Sequence, residues 1–345
     1  MTLAVTGPKS RAPASWMIVP VVVLGVLLEV EGSPLRAEEP GRVWLINTRG
    51  LSPHAAASKS YPPLRYRRLS ADGTWAEAGP GDFFATDDPA VPTCVFVHGN
   101  RETSRSAISK GVMTCRRLTA GQQDRPLRFV IWSWPTEQVC RRNRADLRLK
   151  AARSDREAYL LAHMLKCTDP AAPMTLVGYS FGARVITGAL HLLGGGEVAG
   201  RALDRVAKVK GRPWRAVLVA AAMPNDWLLP GHCNGLALPQ LEAALVLVNP
   251  CDPVLRWYPR LYSRGGPEAL GYTGPAAVSR LGADREKLDL LGVGGSVGKN
   301  HSWQAYLSSG GLLARTADYV FSAGMEQAAV ATGSDPHARV GTASP

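Results

Sequence analysis

The sequence predicts an α/β protein, with a mainly parallel sheet covered by helices on both faces. Three observations lead there. Short apolar runs, TCVFV at 93–97, FVIW at 129–132, MTLV at 174–177 and LVLV at 245–248, have the length and content of strands buried on both sides. The stretches between them carry apolar residues at helical spacing: Ile108, Val112, Cys115 and Leu118 in one, and Leu147, Ala151, Ala158, Leu161 and Leu165 in another. Strand and helix alternate in the order that crossover connections require. With 345 residues, 46% of them hydrophobic and 20% charged, the chain can bury a sizeable core without metal or disulfide staples. No internal repeat is visible, and residues 38–322 read as a single domain.

The elements follow in order. Lys9 and Arg11 precede the apolar run Trp16–Leu28, which is short for a membrane span and reads as a signal peptide. Cleavage after Ala37 fits the small residue there; an uncleaved anchor is the alternative, and either places the folded part outside the cytoplasm, periplasmic or extracellular. VWLINT at 43–48 is the first expected strand and 64–69 a weaker second. The run 93–97 leads directly into His98-Gly99-Asn100, and a helix is expected over 104–118. The strand 129–132 ends in Ser133-Trp134-Pro135 and a long helix covers 143–167. The strand 174–177 precedes a helix over 183–193. RAVLVAAA at 215–222 is another strand, a short helical stretch surrounds 239–243, and 245–248 is the last clear strand. The Gly-, Pro- and Arg-rich region 256–298 is expected to be mostly loop, and a helix follows His301. Residues 323–345 hold few large apolar side chains and are expected to be disordered.

The chemistry centres on Gly178-Tyr179-Ser180-Phe181-Gly182, a G-x-S-x-G pentapeptide between a strand and a helix. A turn tight enough to lift the serine hydroxyl above a sheet leaves no room for Cβ atoms on either side of it, which explains the glycines. Gly294-Gly295-Ser296-Val297-Gly298 also matches, but no clean strand precedes it. Serine needs a base, and the base an orienting acid. Such groups belong at the carboxyl ends of strands. Asp252 follows 245–248 and Asp226 follows 215–222. Asp252 is preferred because it follows the last strand and lies nearer His301, although with Pro253 it also suits an Asx turn. Among the histidines after Ser180, His191 lies within the helix, His232 in a Pro/Gly loop and His337 in the tail. His301 precedes a helix, where it can reach over the strand ends. The oxyanion donors are expected to be the backbone N–H groups of Phe181 and Asn100, with Arg101 the alternative to Asn100. His98 is expected to buttress that loop.

TCVFVHGN, WSWP, LVGYSFGAR, VNPCDPVL and KNHSWQAYL occur in this order over residues 93–320. Together they resemble a bacterial α/β-hydrolase of the little-characterised serine-hydrolase type related to lipases and esterases. The resemblance implies the α/β-hydrolase fold with an eight-stranded sheet, a Ser180–Asp252–His301 triad in the family's Ser, acid, His order, and a carboxylesterase-like activity without cofactor or metal. Its substrate would be a small or lipid-like ester. The region 256–298 is where a substrate-covering insertion is expected. The same triad would serve amide cleavage or acyl transfer. A non-catalytic hydrolase-fold protein that binds a cell surface would instead be marked by a triad too far apart to work.

Several features have simpler readings. The six cysteines show no C-x-x-C spacing, which removes zinc-ribbon and thioredoxin-like readings. In an oxidising compartment disulfides are expected among them, with no pairing selected. Arg141, Arg142, Arg144, Arg148, Lys150 and Arg153 form a solvated helix face, or a contact for an anionic cell surface or polymer, in a chain of net charge +12. Without interleaved aromatic residues this run does not suggest nucleic-acid binding. Trp132, Trp134, Trp257, Tyr258 and Tyr262 could line a cleft or pack in the core.

Overall fold

In the computed structural model, the structure describes residues 41–52, 61–122, 124–204, 212–262 and 266–323. The expected signal segment, the tail beyond 323 and His337 lie outside the described residues. A nine-stranded mixed sheet runs through the described part. Its strands are β1 (Val43–Asn47), β2 (Arg65–Leu69), β3 (Trp75–Ala78), β4 (Thr93–Val97), β5 (Arg128–Ser133), β6 (Met174–Tyr179), β7 (Trp214–Val219), β8 (Ala243–Val248) and β9 (Leu288–Gly292). The spatial order is β3-β2-β1-β5-β4-β6-β7-β8-β9. All neighbours from β1 to β9 are parallel, and β2 and β3 add an antiparallel hairpin at one edge. Every residue of β4, β5, β6 and β7 is buried. This is what their unbroken apolar runs demand, because helices cover both faces.

The main helices are α1 (Pro80–Phe84), α2 (Ser104–Thr119), α3 (Asn143–Lys166) and α4 (Phe181–Leu193). α2 starts where Thr103 accepts the Ser106 N–H at 3.1 Å, an N-cap that fixes the first turn. From β4 the chain crosses through α2 to β5 on one side, then through α3 to β6 on the other. The order of strands therefore reverses at β4. Right-handed crossovers then put α2 and α4 on opposite faces. α3 packs along α4, while α10 (Gly310–Phe321) packs on α2 and over β6 and β7. In open α/β sheets such a switch point opens a crevice beyond the strands' carboxyl ends, here the ends of β4 and β6.

Several expectations are corrected. The segment 245–248 is not the last strand: β9 pairs in parallel with β8, from Ala244 beside Leu288 to Val248 beside Gly292. The region 256–298 is therefore not mostly loop. With residues just before it, it forms four one-turn helices, α5 (Pro253–Arg256), α6 (Pro259–Tyr262), α7 (Leu270–Thr273) and α8 (Gly294–Val297), besides a 3-10 stretch, Val278–Lys287. Single turns leave no hydrophobic period to read, and β9 is an edge strand with exposed Asp289 and Leu290. The helical stretch expected around 239–243 is a 3-10 turn, Leu238–Gln240. The helix after His301 is two, α9 (Trp303–Ser308) and α10, broken at Ser309. β3 and α1 were not expected; β3 is an edge strand with no buried residue. None of the six cysteines is joined in a disulfide, so the expected disulfides are not formed; Cys94 and Cys115 are buried in the core. Among the described residues no helix is long and apolar enough to cross a membrane.

Candidate active site

Ser180 stands between the end of β6 and the start of α4 with φ 55 and ψ −117, a backbone conformation few non-glycine residues adopt. The neighbouring packing holds it there. A Cβ on Gly182 would lie 2.0 Å from the Val97 carbonyl oxygen, and one on Gly178 would lie 2.7 Å from the Ala183 nitrogen. Close approach of α4 to the end of β4 thus needs bare backbone at Gly182, and the tight turn from β6 into α4 needs it at Gly178. The Ser180 N–H donates to Val219 O at 2.9 Å, and its carbonyl accepts from Ala222 and Ala183. Strain of this kind costs about 1–3 kcal/mol and persists only where the surroundings over-determine it.

His301 lies beside it. Its Nε2 is 3.2 Å from Ser180 Oγ, and its Nδ1 is 2.7 Å from Asp252 Oδ2. An ionised carboxylate can only accept, so Nδ1 carries the proton and Nε2 presents its lone pair to the serine hydroxyl. Asp252 is fully buried, and its other oxygen accepts from Val254 N at 2.8 Å and Leu255 N at 3.1 Å, capping α5. The capping turn and the hydrogen bond to histidine are thus both made, one by each oxygen. Asp226 instead faces His232 at 3.3 Å. His191 accepts the Leu236 N–H within the helix layer, and burial lowers its pKa.

Two groups hold His301 that the sequence reading passed over. Tyr179 donates its hydroxyl to the His301 carbonyl at 2.5 Å and packs its ring on the imidazole, 5.6 Å between centroids. Asn249, buried at the end of β8, donates to the carbonyls of Gly298 and Asn300 at 3.0 and 3.3 Å. An Asn-Pro pair closing an apolar strand is the only sequence signal for it, and Tyr179 sits at a variable position of the pentapeptide.

The loop after β4 is clamped to the Trp-Pro segment after β5. His98 is fully buried; its Nδ1 donates to Gly99 O at 2.8 Å, and its Nε2 accepts the Trp134 N–H at 3.2 Å. Burial pushes its pKa down to about 3, so it remains neutral, as a buttress rather than a base. Trp134 Nε1 donates to His98 O at 2.9 Å, and the Arg101 N–H donates to Thr136 O at 3.0 Å. That last bond removes Arg101 as the alternative oxyanion donor. Among the described residues no backbone acceptor takes the N–H of Asn100 or of Phe181, the first residue of α4, where the positive end of the helix dipole also points. Asn100 Oδ1 is buried without a hydrogen-bond donor.

A cleft of about 330 Å³ opens over Ser180 and His301. Asn100, Arg101 and Asn143 line it, as do Val254, Trp257 and Tyr258. Of the aromatic residues considered for a cleft, Trp132 and Trp134 are instead fully buried in the core, and the Tyr262 side chain lies outside the described residues. Of the basic run, Lys150 is fully buried against Asp146 at 2.9 Å, while Arg141, Arg142, Arg144 and Arg148 are exposed. Among the described residues no group of three or more His, Cys, Asp or Glu side chains could hold a metal ion. No protein-family model matches the chain, and no curated protein matches it.

Proposed function

We propose that the protein is a serine hydrolase of the α/β-hydrolase fold that cleaves carboxylic esters. The observation that carries this reading is the unbroken hydrogen-bonded line Ser180 Oγ–His301–Asp252 at a strained strand-to-helix turn. The fold reading draws support from β4 flanked by β5 and β6, with the serine, the acid and the histidine following β6, β8 and β9 in turn. As Ser180 Oγ bonds to the acyl carbon, its proton passes to His301 Nε2, and Asp252 stabilises the resulting imidazolium. The negative oxygen faces the N–H groups of Phe181 and Asn100. The carbon–oxygen bond to the alcohol then breaks, and His301 returns the proton to the departing oxygen. Water, deprotonated by His301, attacks the acyl-enzyme; the carboxylic acid leaves and Ser180 recovers its proton. The chain's own residues supply every proton transfer. Export of the folded domain is proposed with it, on the N-terminal segment alone.

A fluorophosphonate probe is expected to label the full chain at one site. Labelling and ester turnover vanish in Ser180→Ala and persist in Ser296→Ala. Labelling that survives Ser180→Ala rejects the assignment.

A further inference from the structure

Resting on that reading, we propose that the ester substrate carries an anionic group, a carboxylate or a phosphate, on one side of the scissile bond. Arg101 receives that group, and the apolar part of the substrate lies along Val254, Leu255, Trp257 and Tyr258.

The cleft wall is divided by chemistry. Asn100, Arg101 and Asn143 form one stretch, and the α5 residues Val254 and Leu255 with Trp257 and Tyr258 form another. Val254 and Trp257 are 53% and 56% exposed at the rim, and the Arg260 guanidinium stacks on one face of the Trp257 ring, 3.9 Å from its centroid, which leaves the other face for an apolar group. Arg101 is also exposed, and its guanidinium donates at 2.8 Å to Asn143 Oδ1, a neutral acceptor. Other arginines in this protein are neutralised: Arg49 by Glu137, Arg128 by Asp87, Arg184 by Asp155 and Arg215 by Glu242. Among the described residues no carboxylate pairs with Arg101.

The backbone at Arg101 points the same way. Its φ of 60 lies in the left-handed region, where a side chain costs about 1–2 kcal/mol that glycine would not. The Thr136 carbonyl, accepting the Arg101 N–H, fixes this conformation. A long cation therefore stands one residue after the proposed oxyanion donor, at a backbone position where glycine would be cheaper.

The surrounding field has the same sign. Asn143 and Leu147 of α3 line the cleft, and Arg141, Arg142 and Arg144 beside them are exposed without a carboxylate partner among the described residues. Nearby carboxylates are already engaged, Asp146 by Lys150, Glu102 by Lys110 and Glu137 by Arg49. A positive mouth whose neighbouring carboxylates are already paired concentrates anionic substrates and rewards them once bound. A neutral ester would leave the Arg101 charge unused.

Two isosteric ester pairs test this on the full chain at low salt. One compares the mono-para-nitrophenyl ester of glutaric acid with para-nitrophenyl pentanoate, placing the charge on the acyl side. The other compares para-butyryloxybenzoate with para-tolyl butyrate, placing it on the alcohol side, and a phosphate in place of each carboxylate distinguishes the two anions. The anionic member of one pair is expected to show kcat/KM about tenfold higher or more, the scale of a charge-assisted hydrogen bond. The preference should shrink as salt screens it. Arg101→Asn, which suits the left-handed backbone, should bring the ratio toward unity, and Arg101→Lys should keep part of it. A ratio near unity in the wild type, or one unmoved by Arg101→Asn, overturns the inference while Ser180 labelling leaves the esterase reading intact. Failure of the probe to label Ser180 overturns both.

Discussion

The chain contains the same pentapeptide pattern twice, and the two copies fold into opposite things. At 178–182 the central serine has φ 55, both glycines are pressed against backbone, and the hydroxyl faces His301. At 294–298 the residues wind into the single turn α8, and Ser296 Oγ donates to Val293 O at 3.2 Å. A Cβ on Gly295 would meet nothing within 4 Å. The difference comes from what flanks each copy. A fully buried central strand and a long buried helix force the first turn to be sharp, whereas the second follows an edge strand, and a Cβ on its first glycine would meet no more than ordinary side-chain contacts, the nearest from Cys251 and Pro250. The second copy still serves the first: Asn249 grips Gly298 O and Asn300 O, which sets the chain entering His301.

The comparison breaks most visibly at the acid. In the proposed reaction Ser180 has an oriented base only because Asp252 accepts from His301 Nδ1. Asp252→Asn can donate where it should accept, which favours the wrong tautomer, and kcat is expected to fall about 10⁴-fold. Asp226→Asn, at the aspartate paired with His232, should leave kcat within about twofold. Steady-state ester hydrolysis checks both, and equal losses would return Asp226 to candidacy.

The glycines sharpen the same contrast. Gly182→Ala places a methyl 2.0 Å from Val97 O, against backbone that cannot yield cheaply. It is expected to cost about 3 kcal/mol or more in denaturant unfolding and to slow probe labelling sharply. Gly295→Ala, with open space around it in a helical turn, is expected to be neutral or up to about 1 kcal/mol stabilising. Similar losses in both variants would mean that the close approach of α4 to β4 is not what distinguishes the copies.

The buttress beneath the first copy should respond to acid. Burial holds the His98 pKa at about 3, below its ordinary value near 6.5, so the unfolded chain binds a proton that the folded chain refuses. Its contribution is complete above about pH 6.5 and is lost as pH falls from there toward 3, by up to about 1.4 kcal/mol per pH unit. Denaturant midpoints from pH 7 to pH 4 should fall more steeply in the wild type than in His98→Gln. Parallel curves would show that His98 does not stay neutral.

Legibility followed burial. β4, β5, β6 and β7 could be read because strands covered on both faces are continuous apolar runs. β3 and β9 could not, since WAEA and LDLLG are edge strands with mixed exposure. Ser180 and Asp252 could be placed because each lies just beyond the carboxyl end of an apolar strand, a position that survives small errors in strand boundaries, whereas His301 comes after the unreadable β9 and was marked only by the helix that follows it. That the Arg101 N–H is already engaged could not be read, because it turns on one backbone bond, to Thr136 O, between loops far apart in sequence. The same holds for the cleft wall: nothing local to Asn143 or Trp257 says that α3 and the segment after α5 meet over one serine.

Tyr179 carries the finest distinction between the two copies, since the corresponding position in the second is Gly295. Its buried hydroxyl, with a pKa pushed well above the ordinary tyrosine value by burial, stays protonated and donates to the His301 carbonyl. Tyr179→Phe keeps the ring against the imidazole and removes the hydroxyl that donates to the His301 carbonyl and accepts the Trp303 N–H. Stability is expected to fall by about 1 kcal/mol. Because the bond holds the backbone of the base rather than touching substrate, kcat should fall several-fold while KM for a neutral ester changes little, about threefold to tenfold in kcat being the scale of one positioning bond. Thermal unfolding and steady-state kinetics measured together separate the effects. A stability loss with kcat unchanged would make Tyr179 a packing residue alone, and the serine's advantage over Ser296 would then rest entirely on the turn and on the His301–Asp252 pair beside it.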